Sequence, residues 1–292
     1  MNFNSEIELI SYYSKFKNFS LKKIKQHVEV SYPEIQLKTN KGIVGQVLES
    51  LIGNAPNNDP NPDVANLGIE LKVMPLRKVS NSLLPKERSK IKKINYNKLI
   101  HESWDSSELK KKVSKILFFL YEQPIGKTYK DWEDFKFFGT LLFDLEVDSY
   151  FVVKDDWLKI QSKVKTHQAH ELSEGDSKVL GACTSGTGKI ELYDGEYEAK
   201  ERSYSLKHNY LKLFYLEKYK RKQFESINIK SSRSFEEELL FKINSDLVGR
   251  SLGELVDEFN IHDINFKVSK SAFHLLLKRI FYMYFLFQQS LL

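Results

Sequence analysis

Asn66-Leu67-Gly68-Ile69-Glu70-Leu71-Lys72-Val73-Met74 is the stretch on which the fold turns. Read with the two-residue period of a strand, Ile69, Leu71 and Val73 share one face, and Gly68, Glu70 and Lys72 share the other. The first face is made for a core. The second sets a carboxylate beside an ammonium, with Asp63 six intervening residues upstream of Glu70. Many amphipathic strands carry Glu-x-Lys as a solvated ion pair, so the pair gains meaning only from its surroundings. Two carboxylates and an ammonium near a strand end can hold a divalent metal and an activated water, the equipment of phosphodiester hydrolysis.

Upstream, Val44, Val47, Leu48 and Leu51 fall at helical spacing and predict a helix over residues 43–52, ended by Gly53. Glu49 lies on it with Gly45 four residues before and Gly53 four after, all on one face, so a backbone or ligand can approach the carboxylate closely. Residues 54–63 are turn formers without periodicity. Two short amphipathic helices are expected over residues 5–16 and 20–27. Downstream, residues 89–95 alternate as an exposed strand, and 116–121 and 137–145 are apolar runs of strand length, so a mixed sheet takes shape. A helix over 155–167 with Asp155 or Asp156 as N-cap follows. Then come a loop-rich stretch from 175 to 188 with a short strand near 180–184, and a helix over 207–222. Residues 231–234 read as a linker, and 235–292 as mostly helical. The expected fold class is α/β, with 1–230 as one domain and 231–292 as a helical C-terminal appendage.

Composition narrows the function classes. The 292 residues are 41% hydrophobic and 13% aromatic, enough for a large core, and the net charge of +6 is clumped. Clumped positive charge favours polyanionic partners, nucleic acid before membrane. The one cysteine, Cys183, rules out an internal disulfide and a multi-cysteine zinc site, and suits a reducing cytoplasm. Residues 1–16 are too polar for a signal peptide, and the apolar run 280–287 is too short to span a bilayer, so a soluble, cytoplasmic protein is expected. Gly186-Thr187-Gly188-Lys189 lacks the glycine and the Ser/Thr of a phosphate loop, so no nucleotide cofactor is expected. His167 and His170 have no Cys partners or carboxylate cluster nearby in sequence to complete a metal site, and Cys183 has no base beside it.

With these residues in view, the segment 41–49, Lys-Gly-Ile-Val-Gly-Gln-Val-Leu-Glu, followed by Asp63 and Leu67-Gly68-Ile69-Glu70-Leu71-Lys72, resembles the catalytic core of the MutH family. That family joins a mismatch-repair nicking endonuclease to type II restriction endonucleases that cut at GATC, within the PD-(D/E)xK nucleases. A second block is similar to the restriction-enzyme branch: His170-Glu171-Leu172-Ser173-Glu174-Gly175, Cys183-Thr184 and Arg202-Ser203-Tyr204-Ser205-Leu206-Lys207. The mismatch-repair branch shares only its Arg-x-aromatic-x-Leu-Lys part. The resemblance covers roughly residues 41–222 and implies a restriction-endonuclease-like mixed central sheet flanked by helices.

It also implies roles. Asp63 and Glu70 would ligate Mg²⁺, with the Leu71 carbonyl as a further oxygen donor. Lys72 would orient or deprotonate the attacking water and stabilise the phosphorane. Glu49 would hold a metal-bound water or a second ion, and Lys41 would add positive charge near the phosphate. The basic residues Lys86, Arg88, Lys90, Lys92, Lys93 and Lys98, and the group Lys110, Lys111, Lys112 and Lys115, are expected to contact DNA phosphates. His170, Ser173, Glu174, Arg202, Tyr204 and Lys207 are expected near the bases. The implied activity is Mg²⁺-dependent cleavage of double-stranded DNA at GATC, leaving 5′-phosphate ends, by a chain that dimerises transiently on the palindrome. The alternatives are a GATC nickase of mismatch repair and a catalytically idle DNA-binding module. The stretch 235–261 resembles the opening of a second, regulatory half in longer restriction-enzyme relatives.

Overall fold

The computed structural model describes residues 1–56, 61–79, 82–186 and 188–220. All of them lie in the first of two compact units, Met1–Gln223; the linker expected at 231–234 and the helices expected over 235–292 lie outside the described residues. The helices and strands follow in chain order as α1 (Glu6–Ser14), α2 (Leu21–Ser31), α3 (Ile43–Ser50), β1 (Ile69–Val79), β2 (Ser82–Pro85), β3 (Ser89–Lys93), α4 (Tyr96–His101), α5 (Glu108–Val113), β4 (Lys115–Glu122), β5 (Lys136–Asp144), α6 (Leu145–Asp148), α7 (Tyr150–Lys165), β6 (Leu180–Thr184), β7 (Ile190–Tyr193), β8 (Tyr197–Lys200), β9 (Arg202–Leu206) and α8 (His208–Lys220). Among the described residues no helix is long and apolar enough to cross a membrane.

The chain is α/β, with a mixed sheet flanked by helices. Its strands run in the order β2-β1-β4-β5, with β1 parallel to β4 and the two outer pairs antiparallel. Both faces of this sheet are covered, so β4 is apolar on both sides. Ile116, Phe118 and Leu120 join one core with Met74, Leu76 and Trp157, whereas Leu117, Phe119 and Tyr121 join a second with Ile69, Leu71 and the residues of α1, α2 and α3. A separate antiparallel sheet, β3-β9-β6, packs into the first core, and β7 and β8 form a hairpin.

Two boundaries differ from expectation for physical reasons. The strand expected from Asn66 begins at Ile69, because Ala65–Leu67 form a 3₁₀ turn closed by Gly68 in the left-handed conformation (φ 65°). That turn folds Val64 back onto Ile69, the two exchanging backbone hydrogen bonds of 2.9 and 3.2 Å. The helix expected from Asp155 starts at Tyr150, and neither Asp155 nor Asp156 is its N-cap. Val153, Trp157, Ile160 and Val164 make its buried stripe, and Asp156 faces inward beside them.

Candidate active site

The left-handed turn at Gly68 brings Asp63 alongside the start of β1. There its Oδ2 accepts the Leu71 N–H at 2.8 Å, while Asn54 Nδ2 donates to the Asp63 carbonyl at 2.8 Å. Glu70 sits one residue before Leu71, only 2% exposed. Its Oε1 accepts from Lys72 Nζ at 2.5 Å, and Lys112 Nζ donates to both of its oxygens at 3.1 and 3.0 Å. Lys72 Nζ also reaches the Leu71 carbonyl at 3.2 Å. Glu49 comes from the last turn of α3, and a Cβ built on Gly45 would stand 3.5 Å from its carboxylate.

The electrostatics tie these groups into one site. Burial, reinforced by Asp63 and Glu70 and opposed by Lys72 and Lys112, raises the Glu49 carboxyl to about 7. Burial and then the Glu70 charge also raise Asp63, against the pull of the Leu71 N–H and the two lysines. Dehydrated carboxylates that repel one another are relieved by a cation between them. Among the described residues no three His, Cys, Asp or Glu side chains are gathered to hold a metal by themselves. The donor set that fits one is two carboxylates, Asp63 and Glu70, with the Leu71 carbonyl and waters, which is the hard-oxygen, water-rich set magnesium takes.

Sequence reading misses Lys112. Its local pattern groups it with phosphate-contacting lysines, yet it is buried and bonded to Glu70. The signal is tertiary. Parallel pairing sets Glu70 against Ile116, so the end of α5 just before β4 arrives at the start of β1. Lys41 is exposed in the turn before α3, and the ammonium groups that act on Glu49 are those of Lys72 and Lys112.

The expected DNA-facing set divides on burial. Lys90, His170 and Ser173 are exposed. Lys90 Nζ lies 3.3 Å from the Thr184 carbonyl, His170 stands 3.7 Å from Glu171, and the Ser173 hydroxyl caps the short turn Glu174–Asp176. Lys92 and Lys98 pair with Glu108 and hold its carboxyl down at about 2. Glu174 pairs with Arg88. The other three are engaged within the fold. Tyr204 is 4% exposed and points into the core beside Trp157, its hydroxyl without a well-formed hydrogen bond. Lys207 donates to the Glu174 and Ser177 carbonyls, both at 2.6 Å. Arg202 Nη1 donates to the Ala182 carbonyl at 2.8 Å across the sheet. In the second basic group, Lys110 pairs with Asp105 and Lys115 with Glu6 and Asp144, so neither is an unengaged phosphate contact.

Residues 52–156 match the family described as DNA mismatch repair enzyme MutH. The chain is 29% identical over 255 residues to the type II restriction enzyme Sau3AI of Staphylococcus aureus, an alignment covering 82% of this chain and 51% of that one. It is 24% identical over 203 residues to the DNA mismatch repair protein MutH of Actinobacillus pleuropneumoniae serotype 5b, covering 70% and 87%. To the MutH protein of Haemophilus ducreyi it is 25% identical over 192 residues, covering 64% and 80%. The chain thus spans about half the length of the restriction enzyme and most of the length of the repair proteins.

Proposed function

Because the chain carries a MutH-family domain over residues 52–156, we propose that it is a Mg²⁺-dependent type II restriction endonuclease cutting double-stranded DNA at GATC. Residues 1–230 form the catalytic domain, 231–292 an appendage, and two copies meet transiently on the palindrome, in the cytoplasm where DNA is reached. The observation that carries this reading is the convergence of Asp63, Glu70, Lys72 and Lys112 at the start of β1, with Glu49 sharing their field.

A divalent ion on Asp63, Glu70 and the Leu71 carbonyl supplies Lewis-acid stabilisation of charge on the phosphoryl oxygens when bound. The protein groups do the rest. Lys72 orients or deprotonates the attacking water and stabilises the charge that grows on the phosphorane oxygens in the transition state. Lys112 holds Glu70 in place by both of its oxygens and keeps its charge compensated in a buried setting. Glu49 orients water at the rim of the site. Water gives up a proton, to Lys72 or to solvent, as its oxygen bonds to phosphorus; the bond to the 3′ oxygen breaks, that oxygen takes a proton from solvent, and the phosphate stays on the 5′ end. Lys90 supplies phosphate affinity, with Lys92 available once it leaves Glu108. His170, Ser173 and Glu174 lie on the loop proposed to read bases.

A second reading, a GATC nickase of mismatch repair, is favoured by one observation: the family that residues 52–156 match is described as a DNA mismatch repair enzyme. The block at residues 170–175 favours the first reading. Incubating supercoiled plasmid with protein and Mg²⁺ and sequencing the ends separates them. Linear fragments with 5′-phosphate at GATC are expected. Open circles alone would establish the nickase, and intact plasmid with retained DNA binding would establish an idle binding module.

A further inference from the structure

Asp156 is a fully buried carboxylate in the middle of α7, and among the described residues no pairing with a cation accounts for it. Its Oδ1 accepts from Lys178 N at 2.9 Å, and its Oδ2 from Lys178, Val179 and Leu180 N at 3.0, 2.6 and 2.9 Å. Three successive backbone N–H groups thus converge on one side chain, the arrangement of an anion-binding nest, here filled from within the fold. From the other side Lys207 donates to the carbonyls of Glu174 and Ser177, and its own N–H donates to the Val179 carbonyl at 2.9 Å. The stems of Glu174 and Lys207 close over Gly181, where a Cβ would stand 3.4 Å from each. One negative and one positive side chain therefore grip the backbone of residues 174–180, the first by its donors and the second by its acceptors. Charge-assisted bonds of this kind are shorter, stronger and more directional than apolar packing. They fix a backbone path where apolar contacts would let it slide.

We propose that Asp156 and Lys207 are positioning residues for recognition: neither touches DNA, and together they hold the backbone behind Ser173 and Glu174 in the one conformation that presents those side chains to the bases. The inference rests on the reading of residues 170–175 as the base-reading loop. It reassigns Lys207 from a DNA contact to an internal strut.

The test uses the full chain in Ca²⁺ with a labelled duplex carrying one GATC and a matched duplex lacking it, over a salt series. Lys207→Gln and Asp156→Asn should each reduce the preference for GATC by roughly tenfold or more, the size of one lost base contact. Affinity for the matched duplex and the slope of log K against log salt should match the parent protein. A loss equal on both duplexes, with the slope of Lys207→Gln shallower by about one, would make Lys207 a phosphate contact and overturn the proposal. Full GATC preference in either folded variant overturns it too. Thermal melts decide which variants are folded; should Asp156→Asn unfold, Lys207→Gln alone decides the outcome, since its ammonium sits at the half-buried margin of the loop. A parent protein without GATC preference would instead sink the base-reading loop itself, and this inference with it.

Discussion

At Glu49 a single carboxyl carries a measurable signature of the site. Its proton is held more tightly in the folded state than in the unfolded chain, so this residue favours folding while protonated. The advantage is full below the ordinary carboxylate range, falls as pH climbs from about 4.5, and is gone above about 7. The cost of ionising it in the folded metal-free protein is on the order of 3 kcal/mol. Glu49→Gln should therefore raise the melting temperature of metal-free protein at pH 8 and leave it nearly unchanged at pH 4.5; equal shifts at both would remove the burial argument. Mg²⁺ should correspondingly stabilise the parent protein more at pH 8 than at pH 6, because protons and metal compete for the same raised carboxylates. For the proposed metal ligands, Asp63→Ala and Glu70→Ala should each abolish cleavage and leave DNA binding in Ca²⁺ measurable, since the lysines proposed to meet phosphate are unchanged. Near-parental single-turnover rates in either variant would refute the metal assignment. Lys112→Met should also slow cleavage, by removing one of the two ammonium groups that hold Glu70.

Element by element, the site depends on how α3 and β1 are anchored. The Tyr12 and Tyr13 hydroxyls of α1 donate to the Leu51 and Leu48 carbonyls at 2.8 and 3.2 Å, satisfying acceptors that the end of a helix leaves open. Tyr13 is fully buried, and Glu49 and Asp63 both act on it electrostatically, so α1 backs the site directly. Tyr13→Phe removes one buried hydrogen bond and leaves the Leu48 carbonyl unpaired, an expected loss of about 1–3 kcal/mol by urea titration. No loss would mean that α3 is held by packing alone. The turn into β1 depends on Gly68, whose left-handed backbone has open space where a Cβ would go. Gly68→Ala should thus cost about 1–2 kcal/mol from backbone strain, without a steric clash.

Over the whole molecule, charge pairing sets how the protein would meet the DNA of the proposed function. Much of the basic surface is already engaged: Lys93 with Glu191 and Glu201, Arg88 with Glu174, Lys163 with Asp176. Phosphates must displace these carboxylates, so the salt dependence of binding should be weaker than a count of lysines suggests. The chain carries one candidate active centre among its described residues, and one such centre cuts one strand at a time. On the proposed function, cutting both strands of a palindrome would need two copies, and nicked plasmid should accumulate at low enzyme concentration. A rate per enzyme independent of concentration, with linear product and no nicked stage, would exclude that arrangement.

Periodicity is enough to read much of this chain. The two-residue alternation of Ile69, Leu71 and Val73, the apolar runs of β4 and β5, the β6 strand and the amphipathic stretches of α1 and α2 are all local signals, and each produces its element within a few residues. The grouping of Asp63, Glu70 and Lys72 is equally legible, because one turn and one strand connect them. Lys112, Asp156 and Lys207 are not. Lys112 reads locally as one lysine of a basic group, Asp156 as a helix cap and Lys207 as a DNA contact. The first is turned inward by the parallel pairing of β1 with β4, which sets the end of α5 against Glu70. The other two are turned inward by the packing of α7 and β9 against the start of β6, where backbone groups are left open to receive them. A buried charge is chosen by partners distant in sequence, since only they can offset its dehydration, and no local pattern records who they are.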